Sequence, residues 1–507
     1  MNKMTKCNNL LRIVISSLLI FSCIQGSTQN PPDNPYVSKR DYSEFIPNYS
    51  VNKADLLSDI DTYTDNIDKV HPDPYRLIPE MKFVSEIEQI KAEIRALDDE
   101  NVNVFDCYYY LQKIAALIRD GHTKIYEPTN WSKLVPSFFP LNIKIIEGRM
   151  FVNENFGDNG IPLKAEILLI DNKPVEEIIS EMLIYCEGTF HEFKLFRVEE
   201  EFRYFMHTLY KSETPWKVEY IFNDKISTKS IDGVSHEILT EKNRKNLWFS
   251  ESSIKINSEE IPIFNLPHLG YRKEDFKPVI DKFFDDHIDK QNIILDLRGC
   301  PGGNGLRTYE VVDHLIDTIY SPFKKMSFRV SKTLKDYVKY YIQEYLYEQN
   351  KPINEWKNLL YTSGIWHDES DEKYKIILDS DLNSFADVRN DYHMPDTQVS
   401  KYKGNVFLLV DHRSFSAAVV FASIFKHYKL ATIVGRETGG RIDFFSDAVD
   451  IELPKTKLIS TIPTAKLTLH GDLPSRGLIP DIIVDIKVLD FLSGNDPDIE
   501  SIKSLIK

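Results

Sequence analysis

The sequence has few cysteines and no recognisable metal-binding motif. Of its five cysteines, Cys7 lies before an N-terminal apolar run and Cys23 ends that run, while Cys107, Cys186 and Cys300 lack the spacing of a zinc site. Three remaining cysteines do not indicate a disulfide framework. Because the H-E-x-x-H motif is absent as well, the sequence implies no metal and no organic cofactor.

Positive charge is also scarce. The chain has 77 acidic and 62 basic side chains, a net charge of -15, and no Lys/Arg run that would neutralise a line of phosphates. We therefore expect no nucleic-acid partner. With 42% hydrophobic and 27% charged residues the composition is that of a globular protein, and 507 residues predict about three domains.

The longest apolar run lies at the N-terminus. Two lysines precede LLRIVISSLLIFSC, which is short for a membrane span and is interrupted by Arg12. This pattern is typical of a secretory signal over residues 1–23, followed by a flexible polar tether over 24–50. The end of the signal resembles a bacterial lipobox in which Cys23 is acylated and attaches the chain to a membrane; cleavage a few residues later is the alternative. Both predict a location in the cell envelope, as a periplasmic protein or an outer-membrane lipoprotein.

The hydrophobic pattern changes twice along the rest of the chain. Residues 51–135 repeat apolar side chains every three or four positions and predict a helical domain. Residues 136–245 form short alternating runs and predict a β module. From 255 to 507, apolar strands such as NIILDLR and NVFLLVD alternate with helices, which predicts βα units and a largely parallel sheet. An insertion over 320–400 contains an aromatic-rich stretch that we expect to form an amphipathic helix packed on the core.

A glycine-rich loop follows one of the predicted strands. The loop Gly299–Gly305 leaves NIILDLR and enters a helix, a place where backbone amides can face a negative oxygen. It has neither G-x-G-x-x-G spacing nor a G-K-[ST] ending, so nucleotide binding is disfavoured. A tight turn between strand and helix is the simpler interpretation of this loop alone.

Two serines lie where the next strand meets a helix, in VDHRSFSAAVVFASIFKHY. A serine at a helix start is most often a cap, and Ser414 suits that role. Ser416 precedes Ala417 and Ala418, where a substrate backbone could approach. The positive end of the helix would favour negative charge developing on an acyl oxygen there. Ser416 is therefore the candidate nucleophile.

Four motifs follow one another in a distinctive order. DLRGCPGGN, SFSAA, VGRETGG and GLIPD, between about residues 292 and 481, resemble the C-terminal processing, or tail-specific, serine peptidases. The terminal LSGNDPDIESIKSL resembles their tricorn-core-like members. The resemblance implies an α/β fold with a crotonase-like (ClpP/crotonase-type) βα catalytic core after the N-terminal helical domain.

The β module has a resemblance of its own. GIPLKAEILLIDNKPVEEII resembles part of a PDZ domain. PDZ domains bind peptide ends by adding a strand to their sheet. A purely structural spacer is the alternative, because the usual carboxylate-binding loop is not evident.

The sequence departs from many family members at Arg441. They activate the serine with a lysine about 25 residues downstream, and arginine cannot lose its proton to act as a base. The tricorn-like and retinoid-binding-protein-like branch uses a histidine in a D-x-H element instead, which Asp120-Gly121-His122 resembles. His122 is therefore the predicted base, and we expect Gly121 to cap the preceding helix in the left-handed conformation.

Two other histidines are alternatives to His122 as the base or have a structural role. His470 lies close in sequence to the catalytic motifs and is its main rival, whereas His71 is predicted to be a helix-end residue.

The resemblance also implies an oxyanion hole and an orienting acid. The oxyanion donors would be the amides of Gly303, Gly302 and Ala417. The acid that orients the imidazole would be Asp472, with Glu437 as the alternative.

These features predict an exported serine-type endopeptidase that hydrolyses peptide bonds in unstructured or C-terminal segments of peptides or proteins through a Ser-His acyl-enzyme. A catalytically silent peptide-binding protein on the same fold is the alternative; Arg441 favours it, and the D-G-H element opposes it. An esterase of the α/β-hydrolase type is disfavoured, because Ser416 does not lie in a G-x-S-x-G motif.

Overall fold

A computed structural model describes residues 49–128, 135, 137–243, 248–349, 351–365, 369–388, 392–471 and 475–506. The expected signal peptide with Cys23, most of the expected tether and Asp472 lie outside these residues. Within the described part of the chain, no helix combines the length and the apolar character needed to cross a membrane.

Three helices form the first region, and a short strand pair joins their ends. Their bounds are α1 (Lys53–Val70), α2 (Glu80–Arg95) and α3 (Val104–Ile118), with β1 (Ser50–Asn52) antiparallel to β2 (Asn101–Asn103). Leu56, Ile60, Tyr63 and Ile67 of α1 are fully buried at intervals of three and four residues, as an amphipathic helix requires. β3 (Lys124–Ile125) follows α3 after a tight turn.

The end of α3 differs from the expectation. The left-handed residue is Arg119, with φ of 58°, so the prediction that Gly121 provides this cap is wrong. Gly121 is required for space instead, because a Cβ atom there would lie 2.5 Å from Cζ of Phe415. The sequence shows a glycine at this position, but the ring against it comes from almost three hundred residues away.

The second region is an antiparallel sheet with helices. Its strand order is β4-β5-β6-β8-β9, and β7 pairs with β6. The strands are β4 (Leu141–Ile146), β5 (Arg149–Asn155), β6 (Glu166–Ile170), β7 (Lys173–Pro174), β8 (Trp216–Phe222) and β9 (Lys225–Ile231). The helices are α4 (Val175–Met182), α5 (His191–Thr208) and α6 (His236–Asn243).

One edge of this sheet is covered by α5. Glu199 accepts a hydrogen bond from the Ile145 amide at 2.7 Å, and Arg203 donates to the Phe139 carbonyl at 3.1 Å. The Phe139 amide donates to Nε2 of His207 at 3.2 Å; burial lowers the pKa of His207 to about 4, so the ring is a neutral acceptor. Side chains one helical turn apart therefore occupy backbone groups along and just before β4 that an added strand would need.

The third region contains two sheets. The first has the order β10-β11-β12-β15-β16-β19 and is parallel from β11 onward. Its strands are β10 (Ser250–Ile256), β11 (Glu259–Asn265), β12 (Asn292–Asp296), β15 (Asn405–Val410), β16 (Thr432–Gly435) and β19 (Ile482–Ile483). The helices of the region are α7 (Lys273–Asp286), α8 (Leu306–Val312), α9 (Lys332–Glu348), α10 (Trp356–Thr362), α11 (Glu369–Asp379), α12 (Ala417–His427), α13 (Val488–Ser493) and α14 (Pro497–Leu505).

The hydrophobic pattern did not predict the second sheet of this region. Its antiparallel strands have the order β14-β13-β18-β17, and β3 pairs with β18. They are β13 (Lys325–Arg329), β14 (Phe385–Val388), β17 (Asp443–Glu452) and β18 (Ile459–Thr468). The interior proline Pro463 and the aspartates of β17 are poor strand signals, which explains why the apolar pattern did not reveal this sheet.

The helix α9 packs by one face. Leu334, Val338, Ile342 and Leu346 repeat every four residues and are almost fully buried. The aromatic-rich stretch in the insertion therefore forms an amphipathic helix on the core, as its spacing predicts.

A buried carboxylate ties the C-terminal helix to the loop beside the first sheet. Asp498 in α14 is completely buried and accepts two hydrogen bonds from Arg436, at 3.0 and 2.9 Å. Arg298, directly before Gly299, donates to the same carboxylate at 3.0 Å. The carboxylate therefore neutralises the buried Arg436 and adds to the pairing of the partly exposed Arg298, which also bonds to Asp296 and Asp496.

We expect Asp498→Asn to lower the free energy of unfolding by about 3–5 kcal/mol, because it leaves the buried charge of Arg436 without its carboxylate partner. Urea unfolding followed by tryptophan fluorescence measures this change. Asp285→Asn, an exposed position in α7, is the matched control and should change stability by less than about 0.5 kcal/mol. Equal stability of the two variants would contradict the prediction.

Candidate active site

His122 is held by pairing between distant strands. Ile125 and Lys124 in β3 lie opposite Ser460 and Thr461 in β18, and the Tyr126 amide donates to the Ile459 carbonyl at 2.9 Å. The turn that carries His122 immediately precedes β3. Pairing in the second sheet thus fixes the position of a residue from the first region.

Ser416 lies between β15 and α12 in an unusual backbone conformation. Its φ is 53° and its ψ is −119°, a region that non-glycine residues rarely adopt and that recurs at functional sites. The serine is the N-cap residue of α12, but its side chain makes no capping hydrogen bond. The Oγ atom therefore remains available to other groups.

The expectation that Ser414 is a helix cap is wrong. Its Oγ atom is fully buried, donates to the Leu297 carbonyl at 2.9 Å and accepts from the Asp411 amide at 3.0 Å. The side chain joins the end of β15 to the chain leaving β12. This role depends on the pairing of two strands more than a hundred residues apart.

The structure brings His122 and Ser416 together. Nε2 of His122 lies 3.0 Å from Oγ of Ser416, within hydrogen-bond distance. The imidazole stacks on Phe415 with ring centroids 4.7 Å apart and on Phe444 at 5.6 Å. These rings restrict the orientation of the imidazole plane.

The other ring nitrogen of His122 faces Asp120. Nδ1 is buried, has no hydrogen-bond partner among the described residues, and lies 3.8 Å from Oδ1 of Asp120. The Asp120 carboxylate is buried and accepts a hydrogen bond from the Thr123 hydroxyl at 2.9 Å. Burial alone would raise the pKa of Asp120, but His122 and His71 outweigh it and hold that pKa well below its usual range.

The glycine-rich loop lies directly against the nucleophile turn. A Cβ atom on Gly302 would lie 2.7 Å from the Phe415 carbonyl oxygen, 2.8 Å from Cβ of Ser416 and 2.9 Å from the Ala417 nitrogen. Gly302 also has a φ of 98°, which favours glycine. Only a residue without a side chain therefore lets the loop approach the start of α12 this closely.

Gly303 is held by the strand-like segment at Leu269. The Leu269 amide donates to the Gly302 carbonyl at 2.7 Å, and the Asn304 amide donates to the Leu269 carbonyl at 2.9 Å. This pairing uses the groups on either side of Gly303 and does not use the Gly303 amide. The amide can therefore serve another acceptor, such as a substrate oxygen.

The two alternative residues, His470 and Glu437, form hydrogen bonds with other groups. Nε2 of His470 donates to the Ser321 carbonyl, 2.8 Å away, and the ring stacks on His427 at the last turn of α12. That end is about 16 Å from the end that carries Ser416. Glu437 accepts hydrogen bonds from Arg476 and from the Gly477 amide, at 2.9 and 2.8 Å.

Arg441 forms an ion pair with Asp443. Its guanidinium donates to Asp443 at 2.8 Å and to the Ser475 carbonyl at 3.3 Å, and the residue is buried. A permanently charged group in an ion pair cannot accept the serine proton. Its place in the structure agrees with the exclusion of a Ser-Lys dyad.

The second region packs against the turn that carries Ser416. Phe193 of α5 stacks on Phe415 with ring centroids 4.6 Å apart, and Glu199 of the same helix bonds to Arg413. Arg413 also lies over the Phe196 ring at 4.7 Å. One helix therefore contacts two of the three residues that precede Ser416.

The fold and the site together define a serine hydrolase arrangement: a hydroxyl beside an imidazole, at a helix start that faces a glycine loop. Residues 260–484, which include this loop and Ser416, match the model of Peptidase family S41. The predicted resemblance to serine peptidases of the tail-specific kind is thereby confirmed at the level of this family, and the chain is a serine-type peptidase.

The solved structures of CPAF show a similar fold over most of the chain. Mature CPAF in complex with lactacystin has 14% identity and a TM-score of 0.62, covering 90% of this chain and 98% of its own. Mature CPAF alone has 13% identity and a TM-score of 0.62, with 90% and 97% covered. The photosystem II D1 C-terminal processing protease has 12% identity and a TM-score of 0.41, with 89% and 97% covered. No curated protein matches this chain.

We expect Gly302→Ala to reduce the rate of Ser416 phosphonylation by a fluorophosphonate at least about 100-fold, the usual effect of disturbing an oxyanion site. The added methyl group would displace the nucleophile turn. Gly299→Ala is the matched control: Gly299 also has a positive φ, of 75°, but a Cβ atom there meets nothing within 4 Å. Equal losses in both variants would show that backbone strain, and not contact with Ser416, is responsible.

Proposed function

We propose that this chain is an exported serine endopeptidase that cleaves peptide bonds in unstructured or C-terminal segments. The observation that carries the proposal is the 3.0 Å contact between His122 Nε2 and Ser416 Oγ beside a glycine loop. Serine peptidase chemistry requires a base within this reach of the hydroxyl.

The reaction begins with the hydroxyl of Ser416. Neutral His122 accepts the serine proton while Oγ attacks the carbonyl carbon, forming a tetrahedral intermediate with a negative oxygen. The imidazolium then gives the proton to the leaving amine, and the peptide bond breaks to leave an acyl-enzyme. Water attacks the ester in the second half, with His122 again as base, and releases the carboxylate product.

Backbone amides stabilise the negative oxygen in this mechanism. We assign this role to Gly303 and Ala417, with Gly302 as an additional donor. The Leu269 pairing that leaves the Gly303 amide unused supports the first assignment. The position of Ala417 at the first turn of α12 supports the second, since amides there have no partner within the helix. The acid predicted from the resemblance, Asp472, stays a prediction.

We further propose that the third region is a crotonase-like core and that the second is a PDZ-like module. The parallel strands β11, β12, β15 and β16 with the nucleophile at a strand–helix junction support the first assignment. The second rests on the sequence resemblance and the antiparallel sheet with its helices. Because α5 covers the β4 edge, we favour a positioning role for this module over peptide capture at that edge.

The silent-binder alternative rests on Arg441 alone, and the contact between His122 and Ser416 opposes it. We expect Ser416→Ala to abolish fluorophosphonate labelling and cleavage of an unfolded protein such as casein. His122→Gln should reduce both rates by about 10²–10⁴, because it removes the base. His470→Gln is the matched control and should retain labelling. Labelling that persists in Ser416→Ala would place the nucleophile elsewhere, and a wild type that never labels would favour the silent binder.

Export is proposed from the N-terminal sequence. We expect the mature protein, produced in a bacterium from its full sequence, to have lost the residues before Cys23 and to carry lipid on that cysteine. Mass spectrometry of the N-terminal peptide measures both changes. An unmodified N-terminus near Ser27 would support plain secretion instead, and retention of Met1 would contradict export.

A further inference from the structure

A second histidine lies behind the candidate catalytic pair. His71 follows α1 as its C-cap residue, is completely buried, and packs edge-on against Phe445 with ring centroids 4.4 Å apart. Its Nδ1 atom accepts a hydrogen bond from the Asp73 amide at 3.1 Å. A helix-end role explains the position of this residue but not the complete burial of an ionisable ring.

The hydrogen bond at Nδ1 determines where His71 carries its proton. Burial lowers the pKa of His71, although Asp120 opposes this effect, so the ring is neutral. A neutral imidazole that accepts at Nδ1 must carry its hydrogen on Nε2. That Nε2 atom is buried and has no hydrogen-bond partner among the described residues.

Asp120 lies between the two imidazoles. Nε2 of His71 is 3.7 Å from Oδ2 of Asp120, while Nδ1 of His122 is 3.8 Å from Oδ1. When His122 accepts the serine proton at Nε2, its other nitrogen also carries hydrogen. The two carboxylate oxygens therefore face one N–H group each. In the part of the chain that the structure describes, neither of these two ring nitrogens has a hydrogen-bond partner.

We propose that Asp120 is the acid that orients His122, and that His71 is a positioning residue that holds the Asp120 carboxylate through its Nε2–H group. This inference rests on the proposed peptidase function. It replaces Asp472, which the family resemblance suggested, with a residue of the same turn as the base.

The nearby cation Arg76 binds another carboxylate, so the two histidines are the basic groups that face Asp120. Among the described residues, the charged side chains that act on the His71 ring are Asp120, Arg76 and Asp73, while Arg329 donates to the His71 backbone carbonyl at 2.7 Å. Arg76 donates to the Asp443 carbonyl at 2.8 Å and to its carboxylate at 3.2 Å, so its guanidinium is directed to another partner. The distances of 3.7 and 3.8 Å exceed a hydrogen bond, but catalytic hydrogen bonds are often long in a free enzyme and shorten when charge develops.

Two substitutions at His71 separate positioning from packing. His71→Asn keeps an acceptor near the Nδ1 position but loses the donor toward Asp120, whereas His71→Gln can place an amide N–H near the Nε2 position. Both lose the ring contact with Phe445. Saturation kinetics with a fluorophosphonate give the maximal rate of phosphonylation and the half-saturating concentration for the full-length protein.

We expect His71→Asn to lower the maximal rate about 10–100-fold with an unchanged half-saturating concentration, the usual effect of losing a group that orients a reactive residue. His71→Gln should recover most of that rate. Equal rates in the two variants would overturn the positioning role, because packing alone would then explain His71.

A second comparison tests Asp120 even if His71 variants fail to fold. Asp120→Asn should lower the maximal rate by about 10²–10⁴, and more than Asp472→Asn does. A larger loss in Asp472→Asn would assign the orienting acid to the residue suggested by the resemblance. If the wild type reacts with the probe but neither prediction holds, this inference fails while the peptidase function stands; a wild type that does not react overturns both.

Discussion

The candidate site depends on one antiparallel contact between segments more than three hundred residues apart. Two residues of β3 pair with two residues of β18, and this short ladder carries the turn with Asp120 and His122 to the start of α12. Hydrogen bonds in a sheet fix register as well as distance, so the imidazole cannot slide along the strand without losing its partners. Stacking against Phe415 and Phe444 then sets the ring plane.

Part of this arrangement is predictable from local patterns, because the spacing of a strand, a turn and a helix start indicates Ser416 and the glycine-rich loop. The roles predicted for Gly302, Gly303 and His122 follow instead from the resemblance of these motifs and of the D-x-H element to a known peptidase family. The structure adds that Asp120 of the same element faces the imidazole.

Other features could not be inferred because their cause is tertiary. Ser414 resembles a helix cap until β12 and β15 are paired, and only then does its hydroxyl meet the Leu297 carbonyl. Gly121 looks like a left-handed cap until Phe415 lies against it. His71 is an ordinary helix end in the sequence, and its nearness to Asp120 follows from packing α1 against the second sheet. Asp472 lies outside the described residues, so no such contact bears on it.

The late position of β18 in the chain has a consequence for biosynthesis. A growing polypeptide contains His122 early and Ser416 much later, but the strand that joins them spans Ile459–Thr468. Until those residues leave the ribosome and fold, the hydroxyl has no imidazole held beside it. The order of strands along the chain therefore prevents an incomplete polypeptide from holding the assembled serine–histidine pair.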